Sequence, residues 1–127
     1  MSVEIRELRP SDCEMVVALC KQVQGNHVAF EQASDLRQFV RLHPGLSLVA
    51  QAECEIVAAV LCGQARNKAT IHEFAMAPSH SQTGLVRQIM GKAMMKMLAR
   101  ERHRCQITLS DTVNEQQFWE SVRWVTP

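Results

Sequence analysis

Residues Ile71–Met97 read IHEFAMAPSHSQTGLVRQIMGKAMMKM, and this stretch decides the fold. It opens as an apolar run, breaks at Pro78, crosses a polar Ser/Gln/Thr/Gly turn and becomes an amphipathic helix. From Leu85 the apolar positions are Leu85, Val86, Ile89, Met90, Ala93, Met94, Met97 and Leu98. That spacing keeps one helical face apolar for about four turns. Arg87, Lys92, Lys96 and Arg100 fall off the stripe. A strand, a short turn and a helix start together make a natural anion site. The first helical N–H groups lack intrahelical partners, and the helix dipole is positive there. A phosphate-bearing ligand is therefore expected at Ser81–Val86. One glycine is a weak signal, and an ordinary capped helix reads the same way.

Outward from this stretch, the chain reads as strands and helices in turn. Val3–Leu8 alternates as a strand, and Pro10 stops it. A helix follows from Ser11 or Asp12, with Met15, Val16, Leu19, Cys20 and Val23 expected inward. A second helix starts near Ser34 or Asp35, with Leu36, Phe39, Val40 and Leu42 on one face. Leu46–Ala52 and Glu55–Cys62 form an antiparallel hairpin. Gly63–Lys68 reads as a turn and Ala69–Ala77 as a third strand. The long helix is expected to run to about Arg102. Gln106–Leu109 follows as a short strand, parallel to the one before the helix. Asp111 or Thr112 opens a last helix. The expected fold is α/β, a mixed central sheet flanked by helices, in the order β-α-α-β-β-β-α-β-α with a short tail.

Composition narrows the function classes. A chain of 127 residues, 46% hydrophobic and 21% charged, fits a single globular domain over residues 1–127. A net charge of +1 gives no reason to expect nucleic acid or a polybasic membrane surface as partner. No apolar run approaches a membrane span, and no secretory leader is visible. The five cysteines show no metal-ligand spacing, so no metal is expected, and a reducing, cytoplasmic setting is.

The whole chain resembles the GNAT superfamily of N-acetyltransferases. EIRELRPSD (residues 4–12) is similar to that fold's first strand and helix start. SLVAQAECEIVAAVLCG (47–63) is similar to its second and third strands. FAMAPSHSQTGLVRQIM (74–90) resembles its acetyl-CoA motif, V-x-P followed by R/Q-x-x-G-x-G/A. NEQQFWESVRW (114–124) resembles its late N-x-x-A-x-x-F-Y-x-x-x-G-F. Met76-Ala77-Pro78 and Gly84 fit the motif. Ser81 replaces Arg or Gln, and Val86 replaces a small residue where a branched side chain crowds the pyrophosphate. Gln117 and Arg123 replace the late Ala and Gly. Trp119 stands where many members place a tyrosine acid, and the chain has no tyrosine.

The resemblance implies an N-acetyltransferase that uses acetyl-CoA as co-substrate and a small-molecule or peptide amine as acceptor. It implies that Phe74, Ala75, Met76, Ser81, Gln82, Thr83, Gly84, Leu85, Val86, Arg87 and Asn114 hold acetyl-CoA. Amide transfer needs a base, and Glu73 is the best-placed carboxylate. His72 is beside it. Neighbours on a regular strand face opposite sides, so one of the two is expected in the cleft. The departures leave a second reading open, a GNAT-fold binding or regulatory module. Phe118, Trp119 and Trp124, with a short last strand, suggest a homodimer formed through the C-terminal region.

Overall fold

The computed structural model describes residues 3–65, 68–80, 84–100 and 106–109. A five-stranded sheet forms the middle layer. Strand β1 (Val3–Glu7) lies at one edge, followed in space by β2 (Leu48–Ala52), β3 (Glu55–Ala65), β4 (Lys68–Met76) and β5 (Gln106–Leu109). The first four pair antiparallel, and β4 pairs β5 in parallel from Lys68↔Gln106 to Ile71↔Leu109. The parallel neighbours expected from the sequence are therefore present. Among the described residues their pairing ends at Ile71, while β4 continues to Met76.

Helices α1 (Cys13–Gln24) and α2 (Ala33–Leu42) cover one face, and α3 (Leu85–Arg100) covers the other. On the α3 side Leu85, Ile89, Met90, Ala93 and Met97 meet Leu48, Ala50, Val60, Cys62 and Ile71. On the other side Val16, Cys20, Leu36 and Val40 meet Val49, Ala59, Leu61 and Ala75. Burying each such side chain contributes roughly 1.5–3 kcal/mol, so both helical layers contribute to holding the sheet.

Two anchors fix the far edge. Arg6 forks onto both oxygens of Asp12, at 2.7 and 3.0 Å, and also donates to Gln51 Oε1. Asp12 accepts the Arg9 amide at 2.8 Å, which starts the helical turn before α1. Lys96 of α3 reaches Glu7 Oε1 at 2.7 Å and the Gly45 carbonyl at 3.0 Å.

Several expectations need correction. Met15 and Val23 are exposed, while Cys13 and Val17 are buried, because the stripe that meets the sheet runs through Cys13, Val16, Val17 and Cys20 at i, i+3, i+4, i+7. Leu42 and Leu98 are also exposed, each near the end of its helix. The Gly63–Lys68 turn is shorter than expected, since β3 runs through Gly63 and Gln64 to Ala65 and β4 begins at Lys68. Gly63 pairs with Thr70 in the ladder and lies under the rings of Phe39, His43 and His72 (below). The last helix and the apolar patch of Phe118, Trp119 and Trp124 lie outside the described residues. No helix among the described residues is long and apolar enough to cross a membrane.

Candidate functional site

Strand β4 carries the site, and its irregularity sets the geometry. From Met76 to Glu73 it pairs with β3 in one register, down to Leu61↔Glu73. The next pair is Cys62↔Ile71, so His72 is an extra residue on β4, a β-bulge. Ile71 faces α3, yet both His72 and Glu73 turn toward the α1 and α2 layer. His72 meets Phe39 edge-on with ring centroids 4.9 Å apart, and Glu73 reaches the segment between α1 and α2. The expectation that one of the two would face away is therefore corrected. A bulge shifts the side-chain alternation by one residue.

Glu73 is 1% exposed. Its Oε1 accepts the backbone amide of Ala29 at 2.8 Å, and its Oε2 is buried with no hydrogen-bond partner among the described residues. Burial raises its pKa above the usual carboxylate range, and the Ala29 amide, Gln24 amide and His27 charge offset part of that. A buried oxygen without a donor costs free energy in the charged form, so this carboxyl holds its proton more tightly than a surface one.

The outer edge of β4 follows from the antiparallel pattern. The Ala77 amide donates to the Val57 carbonyl at 2.8 Å, in the same register as Ala75↔Ala59 and Glu73↔Leu61. Residues of an antiparallel pair alternate between bonding each other and pointing away. Ala75 is thus committed to β3, whereas the N–H and C=O groups of Phe74 and Met76 point to the β5 side, beyond the last described β4–β5 pair. The Phe74 carbonyl accepts Gln24 Nε2 there at 2.7 Å.

Beyond Met76, Pro78–His80 forms a short 3-10 turn, with Ser79 Oγ 2.9 Å from His80 Nδ1. Gly84 has φ +78°, a conformation that side chains other than glycine rarely take. The α3 ladder begins with Gln88 N–H donating to the Gly84 carbonyl at 3.2 Å. The amides of Leu85, Val86 and Arg87 precede that bond and form the helix's first turn. Leu85 is buried in the core, Val86 is half-buried against it and Arg87 is exposed. The Val86 side chain thus leans inward. Ser81, Gln82, Thr83 and Asn114 lie outside the described residues. Among the described residues no three His, Cys, Asp or Glu side chains gather as metal ligands would.

Sequence reading missed the ring cluster beside Glu73. The Phe39 ring of α2 packs, tilted or edge-on, with centroids 4.9 Å from Phe30, 4.8 Å from His43 and 4.9 Å from His72. The cluster lies over Gly63, where an added Cβ would stand 3.2 Å from Phe39 Cζ and 3.3 Å from Nε2 of both histidines. His43 Nδ1 accepts the Gln64 amide at 3.2 Å. Burial, and then the charge of His43, hold the His72 pKa below its usual value. The available signal was a glycine inside a strand, which often marks a close approach.

Solved structures share this architecture. A GNAT-family acetyltransferase from Staphylococcus aureus Mu50 matches at TM-score 0.74 and 15% identity, over 96% of this chain and 83% of that one. Ard1 from Thermoplasma volcanium matches at 0.72 and 18%, over 94% and 80%. The diaminobutyrate acetyltransferase EctA of Paenibacillus lautus, solved with L-2,4-diaminobutyric acid and coenzyme A, matches at 0.68 and 14%, over 97% and 72%. No curated protein sequence matches the chain. A family model described as the Acetyltransferase (GNAT) family matches residues 7–122, so the chain belongs to the GNAT acetyltransferase family.

Proposed function

We propose that the protein transfers acetyl from acetyl-CoA to a primary amine, with Glu73 as the base. One observation carries this reading: a buried carboxylate with an unpartnered oxygen lies next to a strand edge whose amide groups face away from the sheet. The outward groups of Phe74 and Met76 suit the amide-bearing arm of CoA, which pairs like an added strand. Ala75 contributes its small size on the opposite face. The first-turn amides of α3, Leu85 to Arg87, suit the pyrophosphate, with Gly84 supplying the bend before them. Ser81, Gln82, Thr83 and Asn114 complete the donor site in this reading.

The chemistry then assigns one proton step to this chain. A protonated amine cannot attack, so Glu73 takes its proton, directly or through a water. The amine nitrogen forms a bond to the acetyl carbon and gives up its second proton to water, and the carbon–sulfur bond breaks. The thiolate leaves with the electron pair and takes a proton from solvent, a step that needs no tyrosine. A raised pKa suits this work, since a base is most effective when its pKa approaches the working pH. The acceptor lies on the side of Phe30, Phe39 and His72, where rings offer an apolar wall beside the carboxylate. EctA, solved with its substrate L-2,4-diaminobutyric acid, gives a precedent for small amine acceptors on this fold.

The sealing of Glu73 favours a second reading, a binding module whose base is never reached. Calorimetric titration with acetyl-CoA, followed by CoA release with a panel of amines, separates the two. Micromolar binding with turnover supports the enzyme. Binding without turnover favours the module, and no binding removes the donor site.

A further inference from the structure

Gln24 is the last residue of α1, and Gly25 follows at φ +65° to end the helix. From there the chain runs past His27 to Ala29, whose amide closes onto Glu73. The Gln24 side chain crosses to the outer edge of β4 and donates to the Phe74 carbonyl at 2.7 Å. That carbonyl is among the groups an amide-bearing donor would need. The same five-residue stretch, 25–29, therefore ties the donor edge to the cover of the base.

We propose that Gln24 is a positioning residue that couples donor binding to opening of the acceptor side. The proposal rests on the acyl-donor reading above. In the resting chain the Gln24 amide occupies the Phe74 carbonyl and also acts on the Glu73 carboxyl, which the Ala29 amide latches. A donor whose own amide takes the Phe74 carbonyl displaces Gln24. The released end of α1 no longer holds residues 25–29 against β4, and the Ala29 latch opens. Oε2 of Glu73, buried and without a hydrogen-bond partner among the described residues, then becomes available to an amine or a water. The device keeps the base covered until a donor is present.

Gln24→Met is the informative variant, because it keeps the length of the side chain and removes the donor. Amide hydrogen exchange at Ala29 is followed in wild type and variant, with and without CoA, and CoA affinity is measured by calorimetry. Without ligand, the variant should exchange at Ala29 about five-fold faster, the worth of one ordinary hydrogen bond. CoA should speed Ala29 exchange in the wild type and change it little in the variant. The variant should also bind CoA several-fold tighter, because nothing has to be displaced. If Gln24→Met unfolds, Gln24→Ser and Gln24→Ala carry the same comparison. Unchanged ligand-free exchange at Ala29, with CoA still bound, overturns the coupling alone. No CoA binding in either chain removes the acyl-donor reading and the donor half of this proposal with it.

Discussion

His72 and Glu73 are consecutive on β4, yet both side chains face the layer formed by α1 and α2, because His72 is the bulged residue opposite Leu61 and Cys62. The bulge brings an imidazole and a carboxyl to one side of the sheet. It sits beside Ile71, the last β4 residue paired to β5 among the described residues. Re-aiming side chains and ending a ladder are what bulges commonly do beside active sites.

Glu73→Gln should stabilise the fold while weakening the chemistry. The Glu73 pKa is raised, so the folded state binds its proton more tightly than the unfolded state. The ionised form therefore opposes folding as pH rises through the unfolded value near 4.5, and the penalty levels off above the folded value. Gln keeps an oxygen for the Ala29 amide and carries no charge. The variant should melt a few degrees higher at neutral pH, with the advantage shrinking toward about pH 4. Thermal melts from pH 4 to 8 check this, and an advantage constant across that range would mean that charge burial is not the cause.

Gly63→Ala should disturb the ring cluster. Its Cβ would approach Phe39, His43 and His72 at 3.2 to 3.3 Å, so the rings must shift by a few tenths of an ångström. A cost of about 1–3 kcal/mol is expected for such overpacking. Denaturant unfolding gives the stability change, and proton chemical shifts of the two histidines report the displacement. Unmoved histidine signals would show that the cluster is looser than its distances imply.

The fold should lose stability at two separate points as pH falls. His72 has a lowered pKa, so its contribution is present above its unfolded value of about 6.5 and is lost as pH drops below that. Asp12 loses from burial but gains more from the Arg6 fork and the Arg9 amide, leaving its pKa lowered. Its contribution is present above about pH 4 and is lost below that, as pH approaches its folded value. Asp12→Ala should cost roughly 3 kcal/mol at neutral pH, because it strands the half-buried Arg6. It should also remove the acid step while leaving the one near pH 6. Chemical denaturation at pH 7, 5.5 and 3.5 distinguishes the two.

Much of the fold was legible because it is periodic. The stripe Leu85, Ile89, Met90, Ala93, Met97 is the buried face of α3, and the alternation around Ala52–Glu55 is a hairpin with a two-residue turn at Glu53 and Cys54. The bulge at His72 left no mark, since no glycine or proline sits there. Gln24 and Phe74, 50 positions apart, and Ala29 and Glu73, 44 apart, meet only once α1 has docked on the sheet. Nothing local in Gln24–Ala33 encodes those bonds. Glu73 was found by its chemical type and place on a strand, whereas its burial came from tertiary packing.

Gly84→Ala should weaken donor binding through the backbone. Space is open around Gly84, so no clash is expected, but φ +78° costs a residue with a Cβ roughly 1–2 kcal/mol. The turn should relax and misplace the Leu85–Arg87 amides, lowering CoA affinity about ten-fold. Calorimetry checks this, and unchanged affinity would show that the pyrophosphate is held elsewhere.

The most direct measurement is CoA release from acetyl-CoA with a panel of primary amines, comparing wild type and Glu73→Gln from pH 6 to 10. The wild type should turn over at least one amine. Glu73→Gln should lose about a hundred- to ten-thousand-fold near pH 7, a deficit that narrows at high pH as more of the amine arrives deprotonated. Equal turnover in the two proteins at neutral pH would contradict Glu73 as the base, and no turnover by the wild type with any amine would contradict the enzyme itself.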